Sequence, residues 1–313
     1  MNEDKIDLSQ EIFSRFGTVK RARKCFLYTS KGVRLTDLYQ EGGRAILGWG
    51  GSAFTVFKNV LERGITGSYF TDFSSPNGKN LNPLERAIFE LFGDKRTVFT
   101  FSSIKMAFEA ALSLSPQATG VWRPWNSGNI DFCSEDCILF VPTLPWTNDI
   151  FILAVKDEIL KQYDSNNASG RLQTDDLPVQ NDDFLGNDKE KIAQNKSVAP
   201  NFVRHLVPNQ TFLSSPLCAA VTRSIYDLIK ALQEREEKHW FIYDKILTKY
   251  WERRGPYLFP KIPEKKYTEF IRHCLDCNLV ISPEYHKPSI VPFGADKGVF
   301  RLLEKNPFKA DKK

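Results

Sequence analysis

Residues 99–112, which read FTFSSIKMAFEAAL, predict the class of the fold. A β-prone run over 97–101 leads into Ser102 and Ser103, and a helical pattern follows from about Lys105. A strand, a short polar turn and a helix in this order form a βα unit, the building block of parallel sheets. The pattern therefore predicts an α/β fold.

The composition is that of an ordinary globular protein. The chain has 313 residues, of which 42% are hydrophobic and 26% are charged, which predicts one large domain or two modest ones. The net charge of +5 is mild for this length, and the sequence has no tract rich in lysine and arginine. Nucleic acid is therefore not an expected partner.

The apolar runs of the chain are too short for a membrane protein. The first 30 residues hold no apolar segment typical of a signal peptide, and the longest runs are 138–141 and 150–155. A membrane-spanning helix needs about 20 such residues. We therefore expect a cytoplasmic protein that does not contact a membrane, with its six cysteines as thiols.

Changes in sequence pattern divide the chain into three parts. Residues 1–44 are predicted to form an N-terminal arm and short strands, 45–215 a large α/β domain, and 216–313 a long helix with a small C-terminal domain. Within the second part, 164–198 is dominated by polar residues without a clear period, which predicts a long surface loop. Helical patterns cover 215–236 and 238–253.

Several segments, in this order, resemble the class III aminotransferases, the ornithine and glutamate-semialdehyde group of fold-type I enzymes that depend on pyridoxal phosphate. They are GVRLTDL at 32–38, the βα unit at 99–112 and TFLSSPLCAA at 211–220. The resemblance implies a partly parallel central sheet flanked by helices, with a small α+β C-terminal subdomain. It also implies a homodimer.

The resemblance assigns a set of cofactor-binding residues. In the family, the turn of the βα unit presents backbone amides at a helix N-terminus to the cofactor phosphate. Ser102, Ser103 and Lys105 occupy this turn, with Ile104 where the family has glycine. The resemblance offers Trp122 or Trp125 as the aromatic residue that stacks on the cofactor ring, and Thr211 opens the segment assigned to the same site.

Two catalytic positions are matched less closely. Asp157 follows an apolar run and is the candidate for the carboxylate that holds the pyridine nitrogen protonated. The family's Schiff-base lysine must be fixed and partly desolvated. Lys189 is the candidate for it, but Asp188 and Glu190 flank this residue within the polar tract. The chain thus resembles a degenerate and shortened aminotransferase.

Three interpretations remain open. The first is an aminotransferase-like protein that does not catalyse transamination and needs no cofactor or metal. It would bind a partner or a small anionic or amino-acid-like ligand, and His205 is one residue that could face an anionic ligand. The second is a minimal active enzyme that uses pyridoxal phosphate and Lys189. The third is a zinc protein whose ligands are Cys133, Cys137, Cys274 and Cys277.

Overall fold

A computed structural model describes residues 6–66, 71, 82–117, 120–125, 135–146, 149–170, 207 and 209–309, without the side chains of 164 and 166–170. The strands are β1 (Val19–Arg23), β2 (Phe26–Thr29), β3 (Arg34–Asp37), β4 (Arg96–Phe101), β5 (Val121–Trp122), β6 (Cys137–Phe140), β7 (Phe151–Lys156), β8 (Trp251–Arg254), β9 (Tyr257–Pro260), β10 (Leu279–Val280) and β11 (Ser289–Ile290). The helices are α1 (Leu8–Phe16), α2 (Ser52–Leu61), α3 (Pro83–Phe92), α4 (Ile104–Leu114), α5 (Asp157–Gly170), α6 (Ser215–Glu234), α7 (Lys238–Phe241), α8 (Asp244–Leu247), α9 (Tyr267–Asp276) and α10 (Arg301–Lys305).

The large sheet has the strand order β4-β7-β6-β5. Strand β7 is antiparallel to both β4 and β6, and β5 is parallel to β6. Strands β4, β5 and β6 therefore run in one direction and end at one edge of the sheet. The predicted βα unit is present as β4 and α4.

Helices cover both faces of the large sheet because each face is apolar. On one face, Ala107 and Ala110 of α4 belong to a core with Phe99 and Leu153. On the other face, helices α2, α3 and α6 form a second core with the sheet, whose members include Ala53, Ile88, Val221, Ile152 and Ala154. This arrangement confirms the predicted α/β architecture.

A second body joins the two ends of the chain. Its larger sheet has the order β1-β2-β3-β10, and β10 is parallel to β3. A smaller sheet has the order β11-β9-β8, and α9 packs into the same core through Phe270 and Ile271. The small α+β C-terminal part thus includes the N-terminal strands, while the domain bounds 1–44, 45–215 and 216–313 stay a prediction.

Two expectations about local structure need correction. The helix predicted over 238–253 is wrong, because the chain forms the short helices α7 and α8 and then enters β8. Gly255, whose φ of 53° favours glycine, turns the chain from β8 into β9, and Trp251 is buried in the core. The predicted loop over 164–198 is also wrong at its start, because α5 continues to residue 170. Residues 171–198 lie outside the described residues.

Within the described ranges, no helix has the length and apolar character needed to cross a membrane.

Candidate ligand-binding edge of the large sheet

The candidate site lies at the edge of the large sheet where β4, β5 and β6 end. Phe101 pairs with Phe151 at this edge, so the residues after β4 and those before β7 meet there. In open α/β sheets, ligands bind beyond the carboxyl ends of the parallel strands. Ser102 and Ser103 follow β4 directly and are therefore at the expected position.

The structure brings Thr211 to the same edge. The Thr211 amide donates to the Thr100 carbonyl at 2.7 Å, and the Thr100 hydroxyl donates to the Thr211 carbonyl. The Thr211 Oγ1 then donates to the Ser102 Oγ at 3.2 Å. Two of the predicted site residues, far apart in sequence, thus form one hydroxyl pair.

Helix α4 begins at this hydroxyl pair. Ser103 has extended backbone at the N-cap position, but its side chain makes no capping hydrogen bond. The first turn of a helix has amides without intrahelical acceptors, and its dipole favours an anion. The Lys105 side chain is 82% exposed and lies 3.9 Å from Glu109 along the helix, so it extends into solvent. This edge can bind an anionic group through hydroxyls and amides.

Arg44 is a residue at this edge that the sequence reasoning missed. Its guanidinium pairs with the Asp149 carboxylate and lies 5.9 Å from the centre of the Phe151 ring. Because Phe151 pairs with Phe101, Arg44 lies near the end of β4. Its place in the glycine-rich segment 42–51 was the available signal, since such a segment lets backbone approach another element closely.

Trp125 lies at the same edge but far from Ser102. It follows β5, three strand spacings or about 14 Å from β4. Its ring packs edge-to-face on Trp240 at 5.6 Å between centroids, and the Arg235 guanidinium lies 5.5 Å from it. Trp125 therefore contacts the second body, and the sheet does not bring it to Ser102.

Asp157 lies at the opposite edge of the large sheet. Strands β4 and β7 are antiparallel with Arg96 paired to Lys156, so Asp157 lies beside the start of β4. Its carboxylate accepts from the Thr97 hydroxyl at 2.9 Å and is 3.0 Å from the Lys95 ammonium. Seven residues along β4 separate the two positions, which at about 3.4 Å a residue is roughly 24 Å, so Asp157 and Ser102 cannot hold one small cofactor.

Lys189 and His205 lie outside the described residues. In the part of the chain that the structure covers, no lysine is buried; Lys156 and Lys266 are partly buried. Lys156 ends β7 at the edge opposite Ser102 and lies 3.4 Å from the Asp136 carboxylate.

The cysteines do not support the zinc interpretation. Cys137 is buried in the core of the large sheet, whereas Cys274 and Cys277 are buried in the core of the second body. Cys133 lies outside the described residues. No group of three histidine, cysteine or acidic side chains that could hold a metal ion occurs among the residues with described positions.

Comparison with known sequences finds two spirochaete proteins and no matching family model. An uncharacterized protein of Treponema pallidum is 25% identical over 298 residues, which are 90% of this chain and 91% of that protein. An uncharacterized protein of Borreliella burgdorferi is 32% identical over 109 residues, 34% of this chain and 38% of that protein.

Comparison with solved structures identifies the fold. Acetylornithine aminotransferase from Elizabethkingia anophelis has a TM-score of 0.56 at 12% identity, with 92% of each chain covered. Ornithine delta-aminotransferase of Plasmodium falciparum has a TM-score of 0.55 at 11% identity, covering 92% of this chain and 91% of that one. The chain has the fold-type I aminotransferase-like fold predicted from the ordered segments.

The described residues fit only one part of pyridoxal phosphate. The Ser102–Thr211 hydroxyl pair and the uncapped start of α4 suit its phosphate group. The two candidates for its ring do not come near Ser102, since Asp157 lies at the opposite edge of the sheet and Trp125 lies three strands away and packs on Trp240. The described residues therefore fit this cofactor incompletely.

Proposed function

We propose that this protein is a non-catalytic member of the aminotransferase fold that binds a small anionic ligand at the edge formed by Ser102, Ser103 and Thr211. The proposal rests on the positions of the predicted site residues, of which the structure brings only some together. The hydroxyls suited to an anion lie together at 3.2 Å, while the predicted carboxylate, Asp157, lies across the sheet.

The geometry supports binding through neutral donors and a helix dipole. The Thr211 hydroxyl orients the Ser102 hydroxyl, and Thr211 is itself held by two hydrogen bonds to Thr100. Rigid positioning of such donors reduces the entropy lost when a ligand binds. Arg44 is already paired with Asp149, so it adds little net charge at this edge.

Treatment of the purified protein with pyridoxal phosphate and then borohydride tests the proposal. Borohydride reduces any imine between the cofactor aldehyde and a lysine, and intact-mass measurement with peptide mapping then locates it. We expect no stoichiometric adduct at a single lysine. One adduct per chain, with a visible absorbance band before reduction, would contradict the proposal.

The fold itself favours a second candidate, an active enzyme that uses pyridoxal phosphate and Lys189, because solved structures of the same fold include aminotransferases. In this case the adduct maps to Lys189 and disappears in Lys189→Ala. Lys191→Ala is the matched control, since Lys191 lies two positions away in the same polar tract and should leave the adduct intact.

The proposal includes a homodimer. Exposed apolar side chains adjoin the candidate edge: Phe212, next to Thr211, is 72% exposed, and Ile104 at the start of α4 is 41% exposed. Large apolar side chains beside a binding edge are typical of a surface that another chain covers.

A further inference from the structure

The larger sheet of the second body has one face in the core over its first three strands. Ala22, Leu27 and Leu35, which lie side by side on β1, β2 and β3, pack in that core. Side chains alternate between the two faces along a strand, so the neighbours of these three residues belong to the opposite face. We call this opposite surface the basic face and define it by Arg21, Arg23, Phe26, Tyr28 and Arg34.

The basic face combines arginines with aromatic rings. Arg21 pairs with Tyr28 in the register, and its guanidinium carbon lies 5.5 Å from the centre of the Tyr28 ring. Arg23 pairs with Phe26, and the guanidinium carbon of Arg34 lies 4.5 Å from the centre of the Phe26 ring. The arginines are exposed and the two rings are half-buried. Cations and rings thus share one accessible surface.

The positive charge of this face is not balanced by carboxylates. Within the described ranges, its three arginines have no ion pair, and neither do Lys20 and Lys24 beside them. Residues 12–36 contain seven lysines and arginines and no acidic residue. The expectation that the sequence has no tract rich in lysine and arginine is wrong at 20–24, which read KRARK. The net charge of +5 averages over the chain and hides this concentration.

A structural role explains only part of the basic face. Charged side chains on an edge strand prevent its pairing with other chains, and β1 is an edge of its sheet. Arg34 lies two strands further in, on β3, where no edge needs this protection. Protection of an edge also requires no rings among the arginines. The unbalanced charge therefore indicates an anionic partner.

We propose that the basic face binds single-stranded nucleic acid. Arginines pair with phosphate groups, and bases stack on aromatic rings and on guanidinium planes. Arg21 and Arg23 are two residues, or about 6.8 Å, apart on one face of β1, so they can contact separate phosphates of one strand. Acidic side chains of a protein would pair with the arginines but have no flat face to stack on the rings. The expectation that nucleic acid is not a partner rested on the charge of the chain as a whole.

Fluorescence anisotropy of a labelled strand of about 15 deoxythymidines tests binding by the full chain. Three phosphate contacts, one for each arginine, give the logarithm of the binding constant a slope of about −2 against the logarithm of the salt concentration. We expect micromolar binding at about 50 mM salt that weakens by about twentyfold at about 200 mM. Polyglutamate and a duplex of the same length should compete about tenfold more weakly than the unlabelled strand, because neither offers free bases to the rings.

A first variant tests the charge. Arg21→Gln combined with Arg23→Gln removes two phosphate contacts, so the salt slope should fall to about −0.7 and binding at about 50 mM salt should weaken by about tenfold or more. Arg63→Gln combined with Lys161→Gln is the matched control. These two exposed residues lie beyond α2 and on α5, in the other body, and have no ion pair in the described part of the chain. The control should bind as the wild type does.

A second variant tests the stacking. Tyr28→Leu keeps an apolar side chain but removes the ring, and it should weaken binding by about fivefold to a hundredfold with an unchanged salt slope. Tyr163→Leu is the matched control, since Tyr163 is also partly buried but lies against the core of the large sheet. Circular dichroism establishes that each variant is folded. Should Tyr28→Leu fail to fold, Phe26→Leu tests the second ring in the same way.

Four results would each overturn the proposal. The first is the absence of saturable binding at about 50 mM salt. The second is unchanged binding by the folded double variant of Arg21 and Arg23. The third is unchanged binding by the folded ring variant. The fourth is competition by polyglutamate or duplex that equals or exceeds that of the single strand, which would identify an acidic protein or a double-stranded nucleic acid as the partner. Because Ser102 and Thr211 belong to the other body, none of these results decides the proposed function.

Discussion

At the scale of single residues, Asp37 is the buried carboxylate with the most distinctive surroundings. It is 2% exposed, and its Oδ1 accepts from the amides of Tyr39 and Gln40 at 3.0 and 2.8 Å. Its Oδ2 accepts from the Trp49 Nε1 at 2.8 Å. Burial outweighs these hydrogen bonds and raises the pKa of Asp37 to about 6.

This raised pKa predicts that the protein loses stability as the pH rises through it. The folded state binds the Asp37 proton more tightly than the unfolded state, whose carboxyl has the ordinary value of 3.8. The Asp37 contribution is therefore complete below about pH 4 and is lost as the pH approaches and passes 6, with a total of about 3 kcal/mol. In Asp37→Asn this contribution is absent.

Urea unfolding between pH 4 and 7 measures the effect as the difference between the wild type and Asp37→Asn. Asp276→Asn is the control, since the Asp276 side chain is 64% exposed. If the difference in free energy of unfolding between wild type and Asp37→Asn does not change with pH, Asp37 is not the source of the pH dependence. The variant also loses the hydrogen bond from Trp49 if its amide nitrogen takes the Oδ2 position, and this loss is the same at every pH.

At the scale of elements, two helices begin with different caps and should respond differently to mutation. The Glu85 amide donates to the Asn82 side-chain oxygen at 2.9 Å, and the Asn82 amide donates to the Glu85 carboxylate at 3.1 Å, which forms a capping box at α3. Asn82→Ala should therefore lower the free energy of unfolding by about 1 kcal/mol.

Ser103→Ala is the matched comparison for Asn82→Ala. Ser103 occupies the N-cap of α4 without a side-chain hydrogen bond to it, so its removal should change the free energy of unfolding by less than about 0.5 kcal/mol. Chemical denaturation of both variants measures the two values. Equal losses would mean that the Ser103 hydroxyl caps α4 in solution.

The sequence predicts elements where local signals agree. The strand, serine turn and helix over 99–112 are present as β4 and α4, and Asn82, Pro83 and Gly93 bound α3 as their types indicate. Prediction fails at 238–253, where the helical spacing of apolar residues competes with a β-hairpin that begins at Trp251. Strand β8 exists because β9 pairs with it after the turn at Gly255, and the apolar spacing of 238–253 alone does not reveal this partner.

The candidate site was only partly predictable for a related reason. Ser102 and Thr211 were recognisable because each opens a local motif, but their contact depends on the fold. Asp157 fits a local pattern, yet the antiparallel direction of β7 carries it to the edge of the sheet opposite Ser102. The pairing of Arg44 with Asp149 has no local signal in either segment.

At the scale of the whole molecule, the proposed homodimer makes a prediction about Phe212. A charge at this exposed position would have to be desolvated in an interface that covers the candidate edge. Phe212→Asp should shift the protein from dimer to monomer in sedimentation velocity at micromolar concentration. Phe241→Asp is the control, since Phe241 is 52% exposed but lies on the second body, away from the candidate edge.

If the wild type is a monomer under these conditions, the proposed homodimer is wrong. A dimer that Phe212→Asp leaves intact, or that Phe241→Asp dissociates, would place the interface elsewhere on the surface.

The parallel pairing of β3 with β10 sets an order of events during synthesis. Leu279 pairs with Thr36, so the ribosome must add about 240 residues after β3 before β10 exists. At about 5–20 residues per second, this takes roughly 12–50 seconds. Throughout this time Leu35 and Leu38, which are fully buried in the finished protein, have no β10 strand to cover them. Strand β3 is thus made long before its sheet can be completed by β10.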